Sequence, residues 1–143
     1  MRTHARRTWY LIAGLAAVGI LVSSVSLYHH YDRSQSSFCD FGGSFNCDIV
    51  NRSLYSVVLG IPVALVGIVG YAGVLTLATL FKDRSGSERL LLVASLAGLA
   101  FALRLTYIEG FVLAAWCALC LGSLAIISVI TLLSASLLMR RAQ

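Results

Sequence analysis
The chain has 143 residues, 59% of them hydrophobic and 12% charged, with a formal net charge of +5. A soluble domain carries about a quarter charged residues, so this composition, with a mean hydropathy of +0.87, excludes a soluble fold and leaves an integral membrane protein. One all-α domain over residues 1–143 is expected, because too little polar chain remains to build another beside it.

Crossing ~30 Å of hydrocarbon takes about 20 helical residues, and four apolar runs are long enough. They run from Thr8 to about Tyr28, from about Val57 to Phe81, from about Leu90 to Ile108, and from Phe111 to about Leu138. No barrel pattern is present, and unpaired backbone is not tolerated in lipid, so the expected architecture is a polytopic four-helix bundle. Gly60, Gly67, Gly70 and Gly73 in the second run permit close helix approach, and Pro62 falls near its start, where a missing N–H does least harm.

Basic residues set the orientation. Arg2, Arg6 and Arg7 precede the first span, Lys82, Arg84 and Arg89 fill the second loop, and Arg140 and Arg141 follow the last span. These segments are expected to be cytoplasmic, together with both termini. The loop at 29–56 and the tight turn around Glu109-Gly110 then face the periplasm or exterior of a cell inner (plasma) membrane. The net charge thus reads as topology, not nucleic-acid binding, because it is spread over three short flanks. Basic residues followed by Leu11 to Val22 also fit a signal peptide, but the run continues to Tyr28 without an Ala-x-Ala site. A retained span is expected, and Cys39 and Cys47 stay outside in either case.

Cysteine occurs at four positions. Cys39 and Cys47 sit in the long outer loop, and Cys117 and Cys120 form a Cys-x-x-Cys in the fourth apolar run. Both loops that lead to these pairs face the same side, so the pairs can meet. Cys117 is expected about 10 Å below Gly110, at 1.5 Å rise per residue, in the upper bilayer. One helical turn between its sulfurs suits a reversible disulfide, and a helix N-terminus stabilises a thiolate. Gly42-Gly43, between the outer cysteines, lets the loop fold back, as exchange through a mixed disulfide requires.

Other readings of the same residues stand beside redox relay. Cys39 and Cys47 also fit a structural disulfide, with Cys117 and Cys120 as small apolar filler in a non-enzymatic tetraspan protein. Metal binding fits poorly, because a buried Cys-x-x-Cys and a loop pair with seven residues between them do not match zinc-finger spacings. Covalent haem needs histidine after the second cysteine, and Leu121 stands there.

The segment Cys39-Asp40, then Cys47-Asp48-Ile49-Val50-Asn51-Arg52-Ser53, Leu59-Gly60-Ile61-Pro62, Gly67 to Tyr71 and Trp116-Cys117-Ala118-Leu119-Cys120 resembles the vitamin K epoxide reductase family in its prokaryotic form. The resemblance spans the chain. Its order, a spaced pair before the Cys-x-x-Cys, differs from disulfide oxidases of the DsbB type. It implies an oxidoreductase in which Cys120 faces a quinone such as ubiquinone or menaquinone, Cys117 resolves it, Cys47 exchanges with Cys117, and Cys39 meets the protein partner. Ser53 matches a position that hydrogen-bonds a quinone carbonyl, and residues Val50 to Tyr55 match a short helix capping the bundle. The fused thioredoxin-like domain of many prokaryotic members is not in this sequence, so a separate thioredoxin-fold, DsbA-like partner is implied. The implied output is disulfide formation in exported proteins. Reduction of quinone or vitamin K epoxide for its own sake shares the same cysteines. Val63 and Leu124 stand where animal members have asparagine and tyrosine, which argues against an epoxide substrate.

Several further residues carry expectations. His29 and His30 read as solvated interfacial histidines, with proton relay to the quinone as the alternative, and Arg104 as a side chain that reaches the surface or pairs with Glu109 or Asp48. Trp9, Tyr10, Tyr28, Tyr107 and Trp116 read as interfacial aromatics. Asn51-Arg52-Ser53 is a formal glycosylation sequon, for which the family match of Ser53 is the better explanation.

Overall fold
A computed structural model describes residues 2–32, 42–43 and 45–143. The chain is mostly helical. Its elements are α1 (Arg2–Tyr31), a short α2 (Cys47–Asn51), a 3-10 turn (Leu54–Ser56), a ribbon of β1 (Val57–Val58) and β2 (Ile61–Pro62), α3 (Val63–Thr79), α4 (Ser87–Ile108), a π-helical turn (Glu109–Leu113) and α5 (Ala118–Ala142). Three helical stretches, Thr3–Tyr31, Ser87–Leu113 and Ala118–Ala142, are long and apolar enough to cross a membrane, and α3 is a shorter apolar helix.

Two boundaries differ from the sequence reading. The second run is not helical from Val57: Val57 and Val58 pair antiparallel with Pro62 and Ile61. Leu59 (φ 53°) and Gly60 (φ 80°) make the connecting turn with positive φ at both positions, the geometry that suits a two-residue hairpin. Pro62, at φ −57°, then starts α3, where its missing N–H would have had no helical partner.

The second difference lies at the end of α4. The turn expected at Glu109-Gly110 is instead a continuation of the helix as one π turn, and the chain reverses at Ala114, whose φ is 50°. The Glu109 carbonyl accepts the N–H of Ala115 at 3.1 Å, closing the turn. Helix α5 therefore starts at Ala118, not Phe111, and Cys117 is its N-cap residue instead of lying two turns inside a span.

Trp9, Ile12 and Ala16 of α1 pack with Tyr71, Val74 and Ala78 of α3, Leu91 of α4, and Ile127, Ile130 and Leu137 of α5. Trp9, expected at an interface, is in this core, whereas Tyr10, Tyr28 and Tyr107 are exposed. Close approach of α1 and α3 depends on two glycines. A Cβ at Gly19 would stand 2.5 Å from the Tyr71 ring, and one at Gly67 would stand 2.8 Å from Ser23 Oγ, while Gly70 and Gly73 face open space. The Tyr71 hydroxyl donates to the Ser123 carbonyl at 2.9 Å, tying α3 to α5. Hydroxyls within the helices return to their own backbone, as Ser128, Thr131 and Ser134 do to the carbonyls four residues earlier, so the apolar helices carry little unsatisfied polarity.

The basic flanks gather at one end. Lys82 Nζ lies 5.3 Å from the Tyr10 ring centroid, joining the α3–α4 connection to the start of α1, and Arg141 near the end of α5 pairs with Glu88 at the start of α4. At the opposite end, the close of α1 meets α2 through His30 and Asn51.

Candidate active site
Backbone pairing, remote in sequence, assembles the cysteine site. Phe45 forms a parallel bridge with Trp116, and the Asn46 N–H donates to the Trp116 carbonyl at 3.0 Å. Asn46 is also the N-cap of α2, its Oδ1 accepting from the N–H groups of Asp48 (3.0 Å) and Ile49 (3.3 Å). Such a cap contributes about 1 kcal/mol and fixes the direction in which α2 departs. Cys47 thus opens α2 immediately after the bridge, and Cys117 follows Trp116 on the other strand. Their Sγ atoms stand 3.2 Å apart, with Cys47 1% and Cys117 0% exposed. Cys47 is disulfide-bonded, while Cys117 and Cys120 are free thiols. Cys39 and its neighbour Asp40, expected to complete the outer pair, lie outside the described residues.

One turn beyond Cys117, Cys120 lines a cavity of about 380 Å³, within the roughly 300–1,000 Å³ of small-molecule sites. Its walls are apolar and largely small, with Gly67, Gly70, Ala97 and Gly98 opposite one another on α3 and α4, and Val63 in the wall offers no hydrogen bond. Polar groups cluster where α1 meets α2. Ser26 Oγ donates to Asn51 Oδ1 at 2.9 Å, which leaves Asn51 Nδ2 as a buried donor without a partner among the described residues. His30 Nδ1 is 2.5 Å from the Asn51 carbonyl, and Ser53 Oγ donates to the Val50 carbonyl at 2.8 Å. Ser53 lines the cavity as expected of a ligand-facing residue, but its proton must leave Val50 before it can serve a ligand.

Histidine placement corrects the solvated reading: His29 is 7% exposed and His30 is half-buried in the cavity wall, because α1 extends to Tyr31 and carries both beneath α2. Arg104 is exposed on α4, in keeping with a side chain that reaches the surface.

Three contributors were not singled out by sequence reasoning. Asn51 stands in the family-resemblance segment and in a sequon, with no role assigned to its side chain. Gly110 gives Trp116 its seat, since a Cβ there would stand 2.9 Å from the indole Cη2. Glu109, placed by sequence in a surface turn, is 1% exposed. Its Oε2 accepts the Cys117 N–H at 3.2 Å, it lines the same cavity as Cys120, and Oε1 is buried without a partner among the described residues. An acidic residue inside an apolar stretch, eight positions before Cys117, was the available signal.

The arrangement sets the Cys47 and Cys117 sulfurs side by side, with the Cys120 thiol one turn on at a cavity wall. A family model described as the vitamin K epoxide reductase family matches residues 10–135, which include every element from the body of α1 to most of α5. The match, the apolar helices and the adjoining cysteines agree: the chain belongs to the vitamin K epoxide reductase family and is a multi-pass membrane protein of oxidoreductase type.

Proposed function
We propose that this protein is a quinone-dependent thiol-disulfide oxidoreductase that reoxidises a separate thioredoxin-fold, DsbA-like protein and so supports disulfide formation in exported proteins. The reading rests on one observation above all, the 3.2 Å approach of Cys117 Sγ to the disulfide-bonded Cys47, with Cys120 one turn on at the cavity wall. A purely structural outer disulfide has no need of a thiol beside it.

The relay runs in steps that balance. A thiolate of the reduced partner attacks Cys39 of the Cys39–Cys47 disulfide, Cys47 leaves as thiolate, and the partner's second thiol releases Cys39 as the partner becomes oxidised. The Cys47 thiolate then attacks Cys117 of the Cys117–Cys120 disulfide, and Cys120 leaves as thiolate. Cys39 closes again on Cys47, freeing Cys117. The inner pair now holds two electrons and gives them to a quinone, which accepts two electrons and two protons. Cys47 oxidised beside free Cys117 and Cys120 corresponds to the moment before that last transfer.

The cavity suits a quinone head because it pairs apolar walls with a few donors at its polar end, Asn51 Nδ2 foremost and Ser53 Oγ after rotation. Gathering of the basic flanks at the far end supports a four-span arrangement in a plasma membrane, with α3 and its ribbon as one span, the cysteines outside and both termini cytoplasmic. Anaerobic absorbance of ubiquinone or menaquinone with purified protein and a reduced thioredoxin-fold partner tests the reading. Reduction by wild type and its loss in Cys120→Ser is expected; full activity in that variant overturns it.

A further inference from the structure
We propose that Glu109 is a catalytic proton carrier between the Cys117–Cys120 pair and the electron acceptor. The inference rests on the quinone reading above and adds a residue to it. Three observations carry it. Glu109 is buried at the cysteine end of the cavity and lines it. One carboxyl oxygen is fixed by the Cys117 N–H at 3.2 Å, at the start of α5, so the group is held in place against the Cys-x-x-Cys. The other oxygen is buried without a hydrogen-bond partner among the described residues, and Cys120 lines the same cavity. A structural carboxyl in so apolar a place would be expected to have both oxygens bonded, since a buried polar group without a partner is destabilising. The one ion pair found among the described residues joins Arg141 and Glu88, and does not involve Glu109.

The chemistry needs such a group. Oxidation of two thiols by a quinone transfers two electrons and two protons, and the sulfurs must lose their protons inside a wall that excludes water. Glu109 takes the Cys120 proton as that sulfur gives up its electron pair toward the quinone, and passes a proton to a quinone oxygen. Cys117 then closes the disulfide on Cys120, and its proton follows the same route to the second oxygen. Two thiols become one disulfide, the quinone becomes the hydroquinone, and Glu109 ends in the state in which it began.

The test is single-turnover reduction of ubiquinone by fully reduced, detergent-purified protein, across pH, for wild type, Glu109→Gln and Glu109→Asp. Glutamine keeps an acceptor for the Cys117 N–H but cannot shuttle a proton. Quinone reduction in Glu109→Gln is expected to slow about a hundredfold, the lower end of the range for a positioned acid or base being of that order. Its rate should follow a different pH profile, with partial recovery in Glu109→Asp. In a separate sample whose Cys117–Cys120 pair is oxidised and whose Cys47 is reduced, attack of Cys47 on that disulfide to give the Cys47–Cys117 mixed disulfide, which needs no acceptor, should proceed at the wild-type rate. A wild-type rate and pH profile in Glu109→Gln overturns the proposal. If that variant does not fold, Glu109→Asp decides: a slowed rate with an altered pH profile supports the carrier, and a wild-type rate and profile overturns it. Failure of wild type to reduce any quinone would instead remove the reading beneath.

Discussion
Cys117 and Cys47, seventy positions apart in sequence, hold their sulfurs 3.2 Å from each other in a place with no exposure to solvent. The contact is set by backbone: Phe45 and Trp116 are bridged, and each cysteine follows within two residues. Removing Cys39 and Cys120 together should therefore trap Cys47–Cys117 as a stable mixed disulfide. Peptide mass spectrometry under non-reducing conditions reads it directly; a free Cys117 in that variant under oxidising conditions would contradict the exchange order.

Trp116 owes its position to Gly110. Gly110→Ala should push the indole away, move the Trp116 carbonyl off Asn46 and separate the two sulfurs. Exchange between the pairs should slow about tenfold to a hundredfold, the usual cost of a misplacement of about 1 Å, while quinone binding is unchanged. Rapid-quench thiol labelling measures the exchange, and a wild-type rate would show that the indole seat does not position Cys117.

Asn51 should matter more than Ser53 for the acceptor. With Ser26 holding Oδ1, Asn51→Ala deletes a buried donor that has no partner among the described residues, and the KM for quinone should rise about fivefold, as expected for a lost hydrogen bond of about 1 kcal/mol. Ser53→Ala, whose hydroxyl is engaged with Val50, should change it by no more than about twofold at that same scale. Steady-state titration with a soluble quinone distinguishes the two, and equal effects would mean that Ser53 turns toward the ligand.

Gly19 is a stability position remote from the chemistry. A methyl there overlaps the Tyr71 ring, whose hydroxyl is pinned to Ser123, so the ring cannot retreat without breaking that bond. Gly19→Ala should destabilise the bundle by about 1–3 kcal/mol, the range for an overpacked core. Thermal unfolding in detergent, followed by buried-thiol labelling, would register it; an unchanged midpoint would mean that α1 shifts as a body.

The sequence made the membrane class, the apolar helices and the cysteine arrangement legible, because hydropathy, basic flanks and Cys-x-x-Cys are local patterns. It was less informative where local pattern and tertiary pairing compete. Val57 and Val58 continue an apolar run and give no hint that Leu59-Gly60 will turn them into a ribbon. The break between α4 and α5 was misplaced because Glu109-Gly110 looks like a turn, whereas Ala114 carries the reversal without any turn residue to announce it. Asn51, Gly110 and Glu109 became visible only when the fold brought α2, the π turn and α5 together, since each acts on a residue outside its own helix.

Interrupting a helix beside lipid exposes backbone groups that water would otherwise satisfy. At this interruption the Trp116 carbonyl is met by Asn46, and the Cys117 amide by Glu109. The loop segment that delivers Cys47 is therefore also the plug for an opening in the backbone. Displacing that segment would break the Asn46–Trp116 bond, which disfavours the displacement. Cys47 is thus held beside Cys117 by a hydrogen bond that neither cysteine makes.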